Sequence, residues 1–238
     1  MKRSWPALAG LMLLAVTKLA TAGAFSLSPV GLSIPKSDSS GSVVAENTSG
    51  APLVIQVRAQ AWRQAGGRDI RDDTRDLIVN PPIFRLAPGE QQLVRIASRA
   101  GPPPDVERAY RVTFTEIVPK DAPQPESGFR LALAMDIPVY VEPVAPATPT
   151  ISWQAERTNE GARLVVENRG NVHYRIVEAV VAVAGKVIAK PGAILVLPKS
   201  TKVYELPAVA PGTAAIHLTA EDGASHPVSF EIPLPPAP

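Results

Sequence analysis

Prolines fall about every ninth residue along this chain, 26 in 238 residues. That frequency argues against long helices, because an interior proline removes an amide donor and clashes with the turn before it. What lies between the prolines is short and rich in Val, Ile, Leu, Thr and Tyr, bounded by Gly, Pro, Asn, Asp and Ser at roughly ten-residue intervals, the signature of a sandwich or barrel of short strands. The strands expected first are Ser42 to Glu46, Leu53 to Arg63, Leu77 to Val79 running on into Ile83 to Leu86, Gln92 to Ala97, Ala109 to Val118 and Arg130 to Val141. Turns are expected at Gly66-Gly67, Asp72-Asp73, Ala87-Pro88-Gly89-Glu90 and Gly101-Pro102-Pro103-Pro104, where glycine supplies positive φ or proline fixes it. After a proline-rich stretch at 142–149, a second set of strands is expected: Thr150 to Ala155, Ala162 to Glu167, His173 to Val183, Lys186 to Ala189, Ala193 to Val196, Thr201 to Leu206, Ala214 to Ala220 and Val228 to Ile232. The reading is an all-β chain. A signal peptide at 1–22 precedes one β domain at 23–143, a stiff linker at 144–149 and a smaller β domain at 150–238.

The leader is read from Lys2 and Arg3, the apolar run Leu8 to Val16, and the small residues Ala20-Thr21-Ala22, with cleavage after Ala22 and a second candidate at Ala22-Gly23-Ala24. The run is too short to span a bilayer, which takes about 20 apolar residues. Without Lys2, Arg3 and Lys18, the basic residues are one fewer than the 22 acidic ones. The basic character of the whole chain therefore belongs to the leader, and the mature chain lacks the cationic excess that nucleic-acid binding requires. The mature protein is expected to be exported, with no membrane insertion.

The chemistry open to the chain is narrow. It has no cysteine, which excludes disulfides, thiolate metal sites and cysteine nucleophiles. His173, His217 and His226 lack metal-ligand spacing and are expected to be structural or exposed. No nucleophile elbow, Walker loop or dinucleotide fingerprint occurs. Asp69, Asp72, Asp73 and Asp76 are interleaved with Arg68, Arg71 and Arg75, so the stretch reads as a solvated charged loop rather than a calcium site. Trp62 is expected to pack on a core or sheet surface, and Asn47-Thr48-Ser49 is a formal glycosylation sequon. No catalytic residue, metal or cofactor is assigned.

Two segments carry more information. Asn80-Pro81-Pro82-Ile83-Phe84-Arg85-Leu86-Ala87-Pro88-Gly89-Glu90-Gln91-Gln92-Leu93-Val94-Arg95-Ile96 is a proline pair, a strand, a Pro-Gly turn and a strand with Leu93 and Ile96 as candidate core residues. Glu107-Arg108-Ala109-Tyr110-Arg111-Val112-Thr113-Phe114-Thr115-Glu116-Ile117-Val118-Pro119 is followed, after a loop, by the hydrophobic run Phe129 to Val141. In order and spacing these resemble the first domain of the PapD-like periplasmic chaperones of the chaperone–usher pathway. Phe25-Ser26-Leu27-Ser28-Pro29-Val30 and Val165-Val166-Glu167-Asn168-Arg169-Gly170-Asn171-Val172-His173 extend the resemblance over about residues 25–232.

The resemblance implies two immunoglobulin-like sandwiches joined at an angle. It also implies a non-enzymatic function: binding pilus or fimbrial subunits by donor-strand complementation in the periplasm and delivering them to an outer-membrane usher. The lent strand would be the last of the first domain. There the set Phe129, Leu131, Leu133, Met135, Ile137, Val139, Val141 alternates with Arg130, Ala132, Ala134, Asp136, Pro138, Tyr140, Glu142. The family's donor positions fall on Phe129, Leu131, Leu133 and Met135, while Ile137, Val139 and Val141 are expected to pack internally. Pro138 points to a sheet edge.

Two family features do not carry over. The basic pair that holds a client's terminal carboxylate falls on Val30 and Pro138, which leaves the anchor unknown, with Lys36, Arg58, Arg111 and Arg130 as candidates. In the family's interdomain charge cluster, Glu107 and Asp222 match the acids, but the arginine falls on Glu142, with Arg111 or Arg108 as substitutes. The rival reading is a structural pilus subunit or surface adhesion module of the same fold. Against it, Phe25 to Ile34 is short and interrupted by Pro29 and Gly31, while the long alternating strand is internal.

Overall fold

The computed structural model describes residues 25–118, 132–210, 212–223 and 225–236. Ten strands precede residue 142: β1 (Phe25–Ser28), β2 (Leu32–Ile34), β3 (Ser40–Asn47), β4 (Leu53–Ala65), β5 (Arg68–Asp73), β6 (Leu77–Asn80), β7 (Ile83–Leu86), β8 (Gln91–Ser98), β9 (Arg108–Glu116) and β10 (Ala134–Val141). They form two sheets. One has the order β1-β3-β8-β6; the other has the order β2-β10-β9-β4-β5, with β7 also paired to β4. Alternation closes the core: Val43, Ala45, Ile55, Val57, Val94, Ile96, Val112, Phe114, Ile137, Val139 and Val141 point between the sheets and are buried. Each Val, Ile or Phe among them contributes roughly 1.5–3 kcal/mol when fully buried.

Seven more strands, β11 (Ile151–Arg157), β12 (Ala162–Asn168), β13 (Tyr174–Val183), β14 (Lys186–Val196), β15 (Ser200–Leu206), β16 (Ala215–Asp222) and β17 (Pro227–Pro233), form the sheets β11-β12-β15 and β14-β13-β16-β17 around a separate core. The chain is thus all-β, built as two sandwiches. Between them Val144 N and Ala145 N donate to the carbonyls of Pro103 and Pro104, and the connecting segment is bonded against the first sandwich.

Three local expectations change. The alternating charges at 68–73 are not a loop but the edge strand β5, paired residue for residue with β4 from Ala65–Arg68 to Gln60–Asp73 through the Gly66-Gly67 turn, where both glycines have positive φ. A strand at a sheet edge needs no apolar face, and charges there discourage pairing with other chains. Leu93 is 52% exposed whereas Ile96 is buried, because positions three apart on a strand lie on opposite faces and Val94 takes the inward place. The two short segments expected at 186–189 and 193–196 are one strand, β14, whose register shifts around Lys190-Pro191-Gly192. β14 is an edge strand, where proline costs no ladder bond.

Candidate functional site

Strand β10 is paired unequally on its two sides. β9 runs antiparallel to it over all eight residues, from Ala134 opposite Thr115 to Val141 opposite Arg108. On the other side β2 pairs with it in parallel, and only at Val139, Tyr140 and Val141. From Ala134 to Pro138 that second edge carries no described strand. The opposite edge of the same sheet, β5, is blunted by Arg68, Asp69, Arg71, Asp72 and Asp73, whereas the open stretch of β10 reads Ala-Met-Asp-Ile-Pro.

Of the four expected donor residues, Phe129 and Leu131 lie outside the described residues, as does Arg130. Leu133 and Met135 are half-buried and pack against the first core at the end of β10. Leu133 is tied to β9 by its carbonyl, which accepts from Glu116 N at 2.9 Å, and by its amide, which donates to Glu116 Oε2 at 3.3 Å.

The outward face of β4, β9 and β10, turned to the second sandwich, is polar and aromatic. Gln60, Arg111 and Pro138 stand in one cross-strand row, and Arg58, Thr113 and Asp136 in the next. Beyond them, Trp62 and Tyr140 flank Ala109, whose small side chain lets the two rings approach to 6.3 Å between centroids. Leu197 of the second sandwich completes this buried cluster. The Arg111 guanidinium lies over the Trp62 ring, 3.8 Å from its centroid, a cation–π contact. Asp136 accepts from Arg71 at 2.8 Å and from Thr113 Oγ1 at 3.0 Å, and it faces Arg111 Nη1 at 3.5 Å. Two arginines therefore share one carboxylate, and the face keeps a positive excess.

Among the described residues, two side-chain polar atoms are fully buried without a hydrogen-bond partner, Arg111 Nε and the Tyr140 hydroxyl. Both are on this face. An orphaned buried donor costs about 1–3 kcal/mol, so the fold carries a local cost at this face. Burial, only partly offset by nearby Arg111, pushes the Tyr140 phenol well above its ordinary value, so it remains a neutral donor.

The two expected interdomain acids have these partners. Glu107 is buried at the start of β9 and takes His173 of the second sandwich: His173 N at 3.1 Å and its ring Nδ1 at 2.9 Å from both carboxylate oxygens. The His173 ring is stacked on Tyr140, 3.8 Å between centroids and 8° from parallel. Asp222 is at the end of β16, where it accepts from His226 N at 2.9 Å. Arg111, expected as a substitute in that cluster, sits instead on Trp62. Of the other anchor candidates, Lys36 donates to Val144 O and Arg58 is exposed. Sequence reasoning missed the role of His173, which is 66 positions from Glu107 along the chain.

A second junction missed by sequence reasoning centres on Gln64 and Asp69. Gln64 Nε2 donates to Asp69 Oδ1 at 2.9 Å and to Leu195 O at 3.2 Å, while Gln64 Oε1 accepts from Leu197 N at 2.9 Å. Asp69 also accepts from Trp62 Nε1 at 3.2 Å and from Lys202 Nζ at 3.0 Å. Burial opposes ionisation of Asp69, but the bonds from Gln64 and Lys202, the Lys202 charge and the Trp62 bond together hold its carboxyl below the usual range. A cavity of about 640 Å³ lies away from all of this, beside Arg157, Val209 and Leu234 of the second sandwich.

Comparisons with known proteins agree with this architecture. The chain is 30% identical over 101 residues to the fimbrial chaperone YhcA of Escherichia coli K12, an alignment that spans 42% of this chain and 44% of that protein. Its fold is similar to that in the CsuC–CsuE chaperone–tip adhesion subunit pre-assembly complex of Acinetobacter baumannii, with a TM-score of 0.70 and 19% identity over 90% of this chain and 100% of the other. It is also similar to that in the Salmonella enterica SafA pilin–SafB chaperone complex, with a TM-score of 0.63 and 21% identity over 91% of this chain and 98% of the other. Residues 24–147 match the family described as pili and flagellar-assembly chaperone, PapD N-terminal domain, and the chain belongs to that family.

Proposed function

We propose that this chaperone captures pilus subunits by donating β10, together with the chain that leads into it, as the missing strand of an incomplete sandwich, and that it passes them to an outer-membrane usher. It does so in the periplasm after loss of the leader at 1–22. The observation that carries the reading is the edge of β10 from Ala134 to Pro138, which pairs with no strand among the described residues. Backbone pairing along an open edge supplies affinity, and alternate side chains entering the guest's groove supply specificity. Phe129, Leu131, Leu133 and Met135 are those side chains, and each contributes roughly 1.5–3 kcal/mol before the costs of association.

The start of β2 also closes the edge at Pro138. A subunit strand running parallel to β10 ends there, in the row of Arg111 and two residues before Tyr140. With no basic residue at Val30 or Pro138, the Arg111 guanidinium, partly exposed and in that same row, receives the terminal carboxylate.

The test is a pull-down of the tagged full-length protein from the periplasm of its host, with mass spectrometry, beside the double variant Leu131→Ser with Leu133→Ser. The wild type is expected to recover a small immunoglobulin-like subunit at about a one-to-one ratio, and the folded variant to recover none. Equal recovery by both sinks the donor-strand reading.

A further inference from the structure

The second sandwich touches the Arg111 site without lining it. Its β14–β15 turn holds the Gln64 amide from both sides, through Leu195 O and Leu197 N, and Lys202 on β15 holds the outer oxygen of Asp69. The inner oxygen of Asp69 accepts both the Gln64 amide and the Trp62 indole N–H. The Arg111 guanidinium rests on the face of that indole. Four successive contacts thus lead from the second sandwich to one guanidinium.

We propose that Gln64 and Asp69 are positioning residues through which the second sandwich fixes the Trp62–Arg111 pair, so that the receiver of the subunit's chain end is complete only while the two sandwiches are locked together. The proposal rests on the reading of Arg111 as that receiver. The physical reason is competition. Asp136 stands on the neighbouring strand, and its carboxylate is 3.5 Å from Arg111 Nη1, too far for a good ion pair. An indole held by its N–H offers Arg111 a fixed flat seat that keeps the guanidinium from closing on Asp136. Release the indole, and Arg111 turns into a two-pronged pair with Asp136, which takes up Nε and cancels the charge a carboxylate needs. Tyr140 is steadied from the same side, since its ring lies against His173 of the second sandwich. Arg111 and the ring beside it therefore both depend on the domain junction for their positions.

The test uses a strand-forming peptide of alternating Val and Thr, made once with a free C-terminal carboxylate and once with a C-terminal amide. Binding of each to the full two-domain protein is measured by calorimetry. The wild type is expected to prefer the acid. In Gln64→Leu that preference is expected to fall by about fivefold or more, within the usual range of coupling between sites, while the amide peptide binds as before. A loss of interface stability alone moves both peptides equally and leaves the ratio intact. Retention of the wild-type ratio in folded Gln64→Leu overturns the proposal and leaves the receiver standing; a wild type that binds acid and amide alike overturns the receiver and the proposal with it. Should Gln64→Leu fail to fold, Lys202→Met, which acts wholly from the second sandwich, decides by the same criterion.

Discussion

Asn47 and Asn168 close the two sandwiches with the same set of bonds. Asn47 ends β3, donates to the carbonyls of Ala51 (2.8 Å) and Leu86 (3.1 Å), and accepts from Ser49 N (2.9 Å). Asn168 ends β12, donates to Val172 O (2.8 Å) and Val196 O (3.1 Å), and accepts from Gly170 N (2.9 Å). Both side chains are buried, so the sequon at Asn47 spells a structural plug. Asn168→Ala removes three bonds from an enclosed site and is expected to destabilise the second sandwich by about 2 kcal/mol or more, read from urea unfolding. Asp69 gives a pH dependence. Its folded carboxyl lies below its unfolded value of about 4, so its stabilisation is present above that value and fades as pH falls through the folded one. The junction is therefore expected to loosen in acid, below about pH 4, and Asp69→Asn to remove that acid-sensitive part of a pH series of thermal melts. None of these roles was legible in the sequence. A hydrogen-bonded amide and a carboxylate in a run of alternating charges look like surface residues until the fold brings a distant backbone to them.

At the scale of elements, most strands were legible because alternation and turn chemistry agree along the chain. Those that departed did so for edge reasons. β5 has no apolar stripe to read, since both of its faces are exposed, and β14 tolerates Pro191 because one side of its ladder is open. The alternation of β10 was legible, but the short overlap with β2 that opens its edge was not, because three residues of parallel pairing leave no sequence pattern. Hydrogen exchange gives the corresponding prediction. In the free protein, the amides between Ala134 and Ile137 that β9 does not bond are expected to exchange rapidly. In a complex with a subunit they are expected to slow by orders of magnitude, while those facing β9 change little.

Across the whole molecule, the two cores are independent, and what joins them is mainly polar: Glu107 with His173, Gln64 and Asp69 with the β14–β15 turn and Lys202, and Asn171 with Asp105 and Pro146. The all-β class and two-sandwich fold were legible from proline spacing and short strands, but nothing in the sequence pointed to the imidazole that Glu107 meets. Glu107→Ala leaves the His173 amide and ring without their acceptor at a cost of about 1–3 kcal/mol. Small-angle scattering is expected to show a wider spread of domain arrangements in that variant, with strand content by circular dichroism unchanged. The short pairing of Leu32–Ile34 with Val139–Val141 has its own effect at this scale, because it makes one end of the open edge a stop. Main-chain pairing is blind to side-chain identity, so on the proposed function the edge sets the length and register of a guest, and the donor side chains read its groove. It offers a gauge of roughly 16 Å from the stop to Ala134. Two guests with no residue in common seat equally well if their final residues alternate in the same phase, and a guest that overshoots the stop by one residue presents its wrong face throughout.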